Sequence, residues 1–383
     1  MKLAIVILNW NGAKMLRQYL PSVLQYSREE ATVIVADNAS TDDSLILLRE
    51  HYPEVQLILF DKNWGFADGY NKALAQIDAE YYLLLNSDIE VTHHWLTPLI
   101  EFMDSHPDAG AVGVKMHTES GTPAMESRRG VPTPLVAFYK MSRLCSRFPQ
   151  SRRYGKYYMS YLPWDEASEI EVVSGAFCFL RREALLKVGL LDEDFFMYGE
   201  DIDLSYRLLK GGYHNWYLPE HILHYKGEST QKSSFRYVHV FYEAMLIFFR
   251  KHYGHLSWLV TLPIKTAIYA RAFIALIQMV SSRSRRSLGF VRQGDLQPSY
   301  YFVGTEAMLD ECRQLAERKG LTAQYGSEQP SVDTFADGII VYDVEHYGYE
   351  AVIRMAVQRQ GLCLLGTYST RRHVLITPTE IIV

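Results

Sequence analysis

The sequence has 383 residues, of which 48% are hydrophobic and 22% are charged, so it is long enough for two or three domains and is not a disordered chain. A formal net charge of -5 gives no general reason to expect nucleic acid as a partner. The apolar run from Leu3 to Leu8 is too short for the core of a signal peptide, so we expect no export by that route. The cysteines lie far apart, which predicts neither a zinc site nor a disulfide framework and fits a reducing cytoplasmic setting. They are Cys145, Cys178, Cys312 and Cys363.

The first hundred residues alternate between apolar strand patterns and amphipathic helix patterns. This alternation predicts parallel strands joined by right-handed crossovers. The predicted elements are a strand from Leu3 to Leu8, a helix from about Ala13 to Tyr26, a strand from Val33 to Ala36, a helix from Thr41 to His51 and a strand from Leu57 to Phe60. Asp37 follows the second strand, where it could accept hydrogen bonds from a nucleotide base or serve only the turn. Ser40 or Thr41 is expected to cap the next helix.

A loop from Asn63 to Asn71 follows the third strand and leads into a helix ending near Ile77. Its two glycines, Gly65 and Gly69, permit close approach of the backbone to a phosphate or a nucleoside. The chain has no GxGxxG fingerprint near its amino terminus and no Walker loop, so a nicotinamide enzyme or a P-loop ATPase is poorly supported.

The run Leu83 to Leu85 has the pattern of a short buried strand and stops at Asn86-Ser87-Asp88. Polar side chains at this point would emerge from the carboxyl edge of the sheet, which is the usual ligand position in open α/β sheets. We therefore expect Asp88 to hold a divalent cation such as Mg²⁺ or Mn²⁺, which needs only one or two carboxylates when phosphates and water complete its coordination.

A second acidic cluster, Tyr198 to Leu204, opens a helix that Gly211-Gly212 ends. Asp201 lies in the first turn, where the helix dipole favours the ionised carboxylate, so it could accept a proton from an attacking hydroxyl. The alternative is that Asp201 and Asp203 only cap the helix. His224 is a candidate metal ligand when paired with an earlier aspartate, although a lone histidine is more often a packed or surface residue.

Three further stretches carry weaker signals. Val172 to Leu180 is predicted as a strand, and the small residues Ser174-Gly175-Ala176 within it either leave room for a substrate ring or mark a bulge. Lys140 to Lys156 is basic with no acidic residue, which fits a solvated loop, an anionic acceptor or a membrane surface. Leu256 to Val280, followed by Arg283-Ser284-Arg285-Arg286, fits a helix in a membrane interface, or a pair of ordinary core helices with a basic exit.

Five segments, taken in order, resemble the family 2 glycosyltransferases, and in particular their bacterial rhamnosyltransferase-like branch. The resemblance covers roughly residues 1 to 230, and it is the order of all five segments that makes it specific. They are Ile7-Leu8-Asn9-Trp10-Asn11-Gly12, Ala36-Asp37-Asn38-Ala39-Ser40-Thr41-Asp42, Asn63-Trp64-Gly65-Phe66-Ala67, Leu85-Asn86-Ser87-Asp88 and Tyr198-Gly199-Glu200-Asp201-Ile202-Asp203.

This resemblance implies a GT-A fold with a Rossmann-like mixed α/β sheet, an inverting mechanism and a nucleoside diphosphate sugar as donor. It implies that Asp37 contacts the donor base, that Asp88 binds the metal as the last residue of the DxD motif, and that Asp201 is the catalytic base. His224, in a pattern similar to the HxxGxS segment of the family, would complete the metal or diphosphate site. The first DxD position is Asn86 in this chain. Further donor contacts are expected from Asn9, Asn63, Gly65, Asn86, Ser87, Gly175 and Glu200.

The resulting division of the chain is a catalytic domain at residues 1–230, amphipathic membrane-associating helices at 231–292 and a small α/β domain of unknown role at 293–383. The expected acceptor is a saccharide or a polyprenyl-diphosphate-linked saccharide at the inner face of the cell membrane, with an anionic membrane surface as a partner and no nucleic acid. Rhamnose is the first sugar to consider for the donor, in the synthesis of a cell-surface polysaccharide.

Two alternatives are a nucleotidyltransferase and a catalytically silent sensor of nucleotide sugars. A nucleotidyltransferase would need a basic phosphate-activating loop near the amino terminus, where Asn9 to Lys14 offers only Lys14. A silent sensor would bind the donor without hydrolysing it.

Overall fold

The computed structural model describes residues 1–225, 235–254, 266, 298–359, 361–378 and 380–382. The chain divides into two compact units. The first comprises Met1–His117, Pro123–His224 and Ile247–His252, and the second comprises Thr118–Thr122, Tyr225–Leu246 and Tyr253–Val383. The predicted interfacial stretch from Leu256 to Arg286 lies outside the described residues apart from Thr266, so it stays a prediction, as does the three-part division of the chain.

The first unit is built on nine strands. They are β1 (Leu3–Asn9), β2 (Thr32–Asp37), β3 (Gln56–Leu59), β4 (Tyr81–Leu85), β5 (Ile89–Val91), β6 (Ala109–His117), β7 (Ser168–Ile170), β8 (Phe177–Arg181) and β9 (His214–His224). The helices from the amino terminus onward are α1 (Ala13–Ser27), α2 (Ser44–His51), α3 (Ala67–Leu74), α4 (Thr97–Ser105), α5 (Pro134–Met141), α6 (Leu144–Arg147), α7 (Arg182–Val188), α8 (Glu200–Lys210) and α9 (Phe235–Tyr253), with 3₁₀ turns at Met125–Ser127 and Gly155–Tyr157.

The nine strands form one mixed sheet in the order β3-β2-β1-β4-β8-β6-β9-β5, with β7 beside β9. β1 to β4 run parallel, which confirms the parallel pairing predicted from the alternating pattern. β8 is antiparallel to both β4 and β6. Because four parallel strands are adjacent, the carboxyl ends of β1, β2 and β4 lie along the same edge of the sheet.

Both faces of this sheet are covered, as the continuous apolar runs in its strands predict. Alternate residues of β1 point to opposite faces: Leu3, Ile5 and Ile7 join a core with α1, α2 and α4, whereas Ala4 and Val6 join a core with α3, α7 and α8. The unit is therefore a three-layer α/β/α arrangement around a mixed sheet.

Two elements beside the carboxyl edge differ from the predictions. The strand predicted from Val172 begins only at Phe177, because Ser174 to Ala176 forms a turn instead of extended structure. Helix α2 begins at Ser44, so neither Ser40 nor Thr41 caps it, and the hydroxyl of Ser40 accepts hydrogen bonds from Asn9 and Asn11 instead.

The second unit contains a smaller sheet of six strands in the order β11-β10-β12-β13-β14-β15, of which the first four are parallel and the last two antiparallel. Its elements are β10 (Tyr300–Val303), α10 (Glu306–Lys319), β11 (Ala323–Gly326), β12 (Ile339–Asp343), α11 (Val344–Gln358), β13 (Leu364–Ser369), β14 (Val374–Ile376) and β15 (Ile381–Ile382). This confirms the small carboxyl-terminal α/β region expected from the sequence. Among the helices in the described ranges, none is long and apolar enough to cross a membrane.

Candidate functional site

The ends of β1 and β2 carry a buried polar group made of Asn9, Asp37 and Ser40. The Asn9 amide donates to Asp37 Oδ1 at 2.8 Å and to Ser40 Oγ at 3.0 Å, and the Ser40 backbone N–H donates to Asp37 Oδ2 at 2.9 Å. Asp37 is only 1% exposed, and both of its oxygens hold the turn that follows β2. Each carboxylate oxygen can accept a second hydrogen bond, so this turn role leaves acceptor capacity for a ligand.

A loop following β3 is fixed to this turn through Asn38. The Asn38 amide donates to Asn63 Oδ1 at 3.0 Å and to the Gly65 carbonyl at 2.9 Å, while Asn38 Oδ1 accepts from the Trp64 N–H. Gly65 has a φ of +78°, and a Cβ there would come within 2.9 Å of the Phe196 ring. Glycine is therefore required at this position for both its conformation and its lack of a side chain.

The segment after β4 places Asp88 beside His224. β5 follows immediately and pairs antiparallel with β9, with Ile89 opposite His224. His224 Nε2 lies 3.3 Å from Asp88 Oδ1, and both side chains are nearly buried. His224 Nδ1 is a buried nitrogen with no hydrogen-bond partner among the described residues. The pair supplies one carboxylate oxygen and one imidazole nitrogen, both of which bind divalent cations.

These two ligands fit a metal that is shared with a substrate. Within the described ranges, no group of three or more His, Cys, Asp or Glu side chains is positioned to hold a metal ion. Mg²⁺ commonly takes only one or two protein carboxylates and completes its shell with phosphate oxygens and water. The residues present are thus suited to a cation that arrives with a diphosphate.

One short turn connects the end of β4 to the acidic helix α8. The Asn86 N–H donates to the Ala176 carbonyl at 2.9 Å, and the neighbouring Gly175 N–H donates to Asp201 Oδ2 at 3.1 Å. A Cβ on Gly175 would lie 3.3 Å from the Asp201 Cβ, so the absence of a side chain permits this approach. The turn replaces the predicted strand and joins the candidate metal segment to the candidate base.

Asp201 also pairs with Arg129, a residue that the sequence did not single out. Arg129 Nη2 contacts Asp201 Oδ2, and their side chains are 14% and 13% exposed. The negative charge of Asp201 raises the pKa of Arg129, although burial of the guanidinium opposes it. Asp201 Oδ1 accepts one hydrogen bond, from the Ile202 N–H at 2.8 Å. Of about four lone-pair positions on a carboxylate, the described residues use three, and the remaining one is on Oδ1.

Glu200, next to Asp201, has a different protonation state. Burial, followed by the charge of Asp201, raises the pKa of Glu200 to about 8. Its Oε2 is buried without a hydrogen-bond partner in the described part of the chain. At neutral pH Glu200 is therefore mainly a neutral acid.

Asp203 completes the acidic cluster as a structural anion. It is fully buried and accepts from Arg207 Nε at 2.7 Å, from Lys251 Nζ at 2.9 Å and from His252 Nε2 at 2.7 Å. Burial alone would raise its pKa, but these hydrogen bonds and charges hold the pKa of Asp203 well below its usual range. The alternative of a purely structural role for the aspartates at this helix start therefore fits Asp203. This residue anchors α8 to the end of α9.

The backbone before α8 is held in an unusual conformation. Tyr198 and Gly199 both have positive φ values, 67° and 88°. A bulky residue in the left-handed region is uncommon and costs of order 1–3 kcal/mol, and such strain clusters at functional sites. The preceding Phe196 accepts a hydrogen bond at its carbonyl from the Phe66 N–H at 3.2 Å, which attaches this segment to the Gly65 loop.

The predicted site residues thus fall into connected groups. Asn9, Asp37, Asn63 and Gly65 share one hydrogen-bonded group, and Asn86, Gly175 and Asp201 share another. Asp88 and His224 form a pair, and Ser87 lies between Asn86 and Asp88. The HxxGxS segment beyond Tyr225 lies outside the described residues. Arg129 was missed because its partner is 72 positions away, and because it lies outside the basic stretch from Lys140 to Lys156 that the sequence analysis named.

A family model described as Glycosyl transferase family 2 matches residues 4–189, most of the first compact unit. Over these residues the chain is similar to glycosyl transferase family 2. The family match and the mixed sheet confirm the expected GT-A fold and the expectation of a glycosyltransferase. They leave the nucleotidyltransferase alternative without support.

Two curated relatives that this chain resembles are rhamnosyltransferases. The N-acetylglucosaminyl-diphospho-decaprenol L-rhamnosyltransferase of Mycobacterium tuberculosis is 27% identical over 306 residues, which cover 74% of this chain and 95% of the relative. Rhamnosyltransferase WbbL of Escherichia coli K12 is 25% identical over 257 residues, which cover 61% of this chain and 91% of the relative.

Solved structures with similar folds include two glycosyltransferases with bound nucleotides. The mannosyltransferase PcManGT from Pyrobaculum calidifontis, in complex with GDP-Man and Mn²⁺, is 16% identical with a TM-score of 0.46, and the match covers 74% of this chain and 79% of that one. GalNAc-T7 with UDP, GalNAc and Mn²⁺ is 18% identical with a TM-score of 0.47, and the match covers 63% of this chain and 47% of that one. Because both TM-scores are below 0.5, the fold assignment rests on the strand order and the family match.

Proposed function

We propose that this chain is a family 2 glycosyltransferase that moves a sugar from a nucleoside diphosphate sugar to a hydroxyl of a lipid-linked saccharide, with inversion at the anomeric carbon. The observation that carries the proposal is the turn at Gly175, which holds Asp201 and is bonded to Asn86 beside the candidate metal ligand. A displacement needs a base on one side of the sugar and charge stabilisation on the other, and this turn fixes the segments that would supply both.

The proposed donor site follows the carboxyl edge of β1, β2 and β4. Asp37, supported by Asn9, would contact the base, and the Asn63 to Gly65 loop would approach the nucleoside through its backbone. Asn86 and Ser87 would contact the sugar or diphosphate, next to Asp88 and His224, which would hold Mg²⁺ or Mn²⁺. Such a cation, when bound, stabilises the negative charge that develops on the departing nucleoside diphosphate.

Asp201 is the proposed base, through its Oδ1 atom. Arg129 and Gly175 occupy Oδ2, so the remaining acceptor position on Oδ1 is the one available to an acceptor hydroxyl among the described contacts. As the hydroxyl oxygen attacks the anomeric carbon, its proton moves to Oδ1 and the bond to the diphosphate oxygen breaks. A single displacement of this kind inverts the configuration.

Rhamnose is the first sugar to test, with deoxythymidine diphosphate rhamnose as donor, because both curated relatives described above are rhamnosyltransferases. A polyprenyl-diphosphate-linked saccharide is the proposed acceptor class, since one of those relatives carries such a compound in its name. This substrate pair would make the protein a peripheral enzyme of polysaccharide synthesis at the inner membrane face.

The test compares Asp201→Asn with Asp194→Asn, a control that precedes the acidic cluster and has an exposed side chain. Loss of a general base typically lowers the rate about 10²–10⁴-fold, so Asp201→Asn should lose transfer while donor and metal still raise its melting temperature. The control should retain both properties. Substantial transfer by a folded Asp201→Asn variant would refute the assignment of the base. A wild-type chain that binds donor but neither transfers nor hydrolyses it would support the silent-sensor alternative.

A further inference from the structure

Helix α5 exposes an apolar stripe on the surface of the first unit. Leu135, Phe138 and Met141 recur at three-residue spacing and are 54%, 58% and 45% exposed, whereas Val136 and Tyr139 on the other face are buried. A surface helix normally turns its large apolar residues to the core and its polar residues to water. This helix has a second apolar face that the described residues of its own unit leave open to solvent.

Positive charge borders this stripe. The exposed side chains of Arg143, Arg147, Arg152 and Arg153 follow α5, and within the described part of the chain none of them forms an ion pair with a carboxylate. Phe148, among these arginines, is 45% exposed. Residues 127–164 contain eight lysines and arginines and no acidic residue. Apolar side chains surrounded by unpaired cations complement a layer of anionic headgroups above hydrocarbon.

Lys140 has a different role from these arginines. Its ammonium group packs over the rings of Tyr157 and Tyr158, at 3.9 Å and 3.5 Å from their centroids. Burial lowers the pKa of Lys140 to about 8. Lys140 therefore fixes α5 to the tyrosine segment and is not one of the exposed charges.

The same tyrosine segment reaches the candidate base. The Gly130 N–H donates to the Tyr157 carbonyl at 3.1 Å, and the adjacent Arg129 pairs with Asp201. The contacts from Asp201 to α5 thus run through Arg129, Tyr157 and Lys140, all within the first unit. A surface bound along α5 would lie close to the acceptor side of the proposed site.

We propose that the α5 surface, defined as Leu135, Phe138, Met141 and Phe148 with the four arginines, docks on an anionic phospholipid bilayer. The apolar side chains insert below the phosphates, and the arginines pair with the headgroups. This surface is distinct from the interfacial helices predicted at residues 231–292. Docking itself does not depend on the proposed function, but delivery of a lipid-linked acceptor to Asp201 rests on it.

Insertion can be read directly from a labelled cysteine. All four native cysteines are buried, so Phe138→Cys can be labelled selectively with an environment-sensitive dye, with Ile46→Cys on exposed α2 as the matched control. We expect a blue shift of the Phe138→Cys label with vesicles containing phosphatidylglycerol, weaker with phosphatidylcholine alone or at high salt, and no shift of the control label. Failure of the chain to bind either vesicle, or binding without a shift at position 138, would overturn the proposal. A shift that depends on protein concentration without vesicles would assign the surface to a second copy and would also overturn it.

A triple variant separates docking from chemistry. Leu135→Ser, Phe138→Ser and Met141→Ser together should lower partition onto anionic vesicles at least about tenfold, whereas Ile46→Ser with Leu186→Ser should not. The triple variant should also lose transfer to acceptor embedded in vesicles while it keeps its rate on a water-soluble acceptor. Equal loss on both acceptors, or unchanged partition, would contradict docking through α5. If no variant transfers sugar to any acceptor, the proposed function fails, but the partition and labelling results still decide the docking proposal.

Discussion

Replacing Arg129 with methionine tests how Asp201 is held in position. Methionine keeps a long apolar side chain but removes the guanidinium that pairs with Asp201 Oδ2. Breaking a buried ion pair by removing one partner costs about 3–5 kcal/mol, because the other charge stays buried. Asp201 retains hydrogen bonds from Gly175 and Ile202, so we expect the free energy of unfolding to fall by about 2–3 kcal/mol.

The kinetic consequence of Arg129→Met follows from the position of Asp201. Arg129 pairs with Oδ2, whereas the proposed proton transfer uses Oδ1, so loss of the guanidinium removes a contact that orients the carboxylate. Because a small misplacement of a catalytic group can lower a rate by about 10²-fold, we expect kcat to fall by up to this amount while the KM for the donor changes little. Arg129→Lys should restore part of the rate, because it keeps a charge but loses the guanidinium geometry.

Arg128→Met is the matched control for this experiment. Arg128 is also buried, but it donates to the carbonyl oxygens of Leu162 and Pro163 and stacks on the Trp164 ring at 3.5 Å instead of contacting a carboxylate. It should lose stability without lowering kcat. Five of the six tryptophans lie in the first unit, so their fluorescence during urea unfolding reports mainly on that unit. Equal kcat in wild type and Arg129→Met, or an equal fall of kcat in both variants, would refute the reasoning.

Four other substitutions have distinct expected outcomes. Asp88→Asn should abolish the rise in melting temperature that Mg²⁺ or Mn²⁺ gives with a nucleoside diphosphate; an undiminished rise would place the cation elsewhere. Glu200→Gln should keep transfer at pH 7. It should also become more stable than wild type as the pH rises from 5 to 8, because folding raises the pKa of Glu200, so wild type loses stability above the pKa that this group has in the unfolded state. Parallel curves of stability against pH would contradict a neutral acid. Asp203→Asn should lower the free energy of unfolding by about 3–5 kcal/mol above pH 5. The loss should shrink as the pH falls below about 4, because wild type then loses the stability that the lowered pKa of Asp203 provides. A difference between the two proteins in urea unfolding that stays constant with pH would oppose this. Gly65→Ala should weaken donor binding more than it lowers kcat, because a Cβ at φ +78° meets the Phe196 ring; unchanged donor affinity would show that the loop tolerates it.

Much of the fold could be predicted because the signals are local. The buried run of β4 ends at Leu85, and the polar residues after it lie at the carboxyl edge as expected. Helix α10 has local boundary signals of this kind, since Thr305 caps its first turn and Gly320 ends it in the left-handed conformation. A strand end or a helix cap depends on a few consecutive residues, which the sequence displays directly.

The rest of the site depends on contacts that are distant in sequence. Asp201 and Arg129 are 72 positions apart in sequence and are joined only by the tertiary structure. The run of small residues at Gly175 was compatible with either a strand or a bulge. Asp203 accepts hydrogen bonds from Lys251 and His252, almost fifty positions later. Glu200 is protonated because it is buried. A glutamate at an exposed helix start would not have its pKa raised in this way. These features are set by tertiary packing and could not be derived from spacing alone.

The three acids of α8 have three electrostatic states over four consecutive positions. The formal net charge of -5 counts every one of them as a carboxylate. Because Glu200 is mainly neutral, the net charge of the folded chain at pH 7 is about one unit less negative than the formal charge counted from the sequence. The difference arises at the proposed active site. A nucleoside diphosphate sugar is itself an anion. It consequently meets less electrostatic repulsion at that point than it would if every acid of Glu200-Asp201-Ile202-Asp203 were ionised.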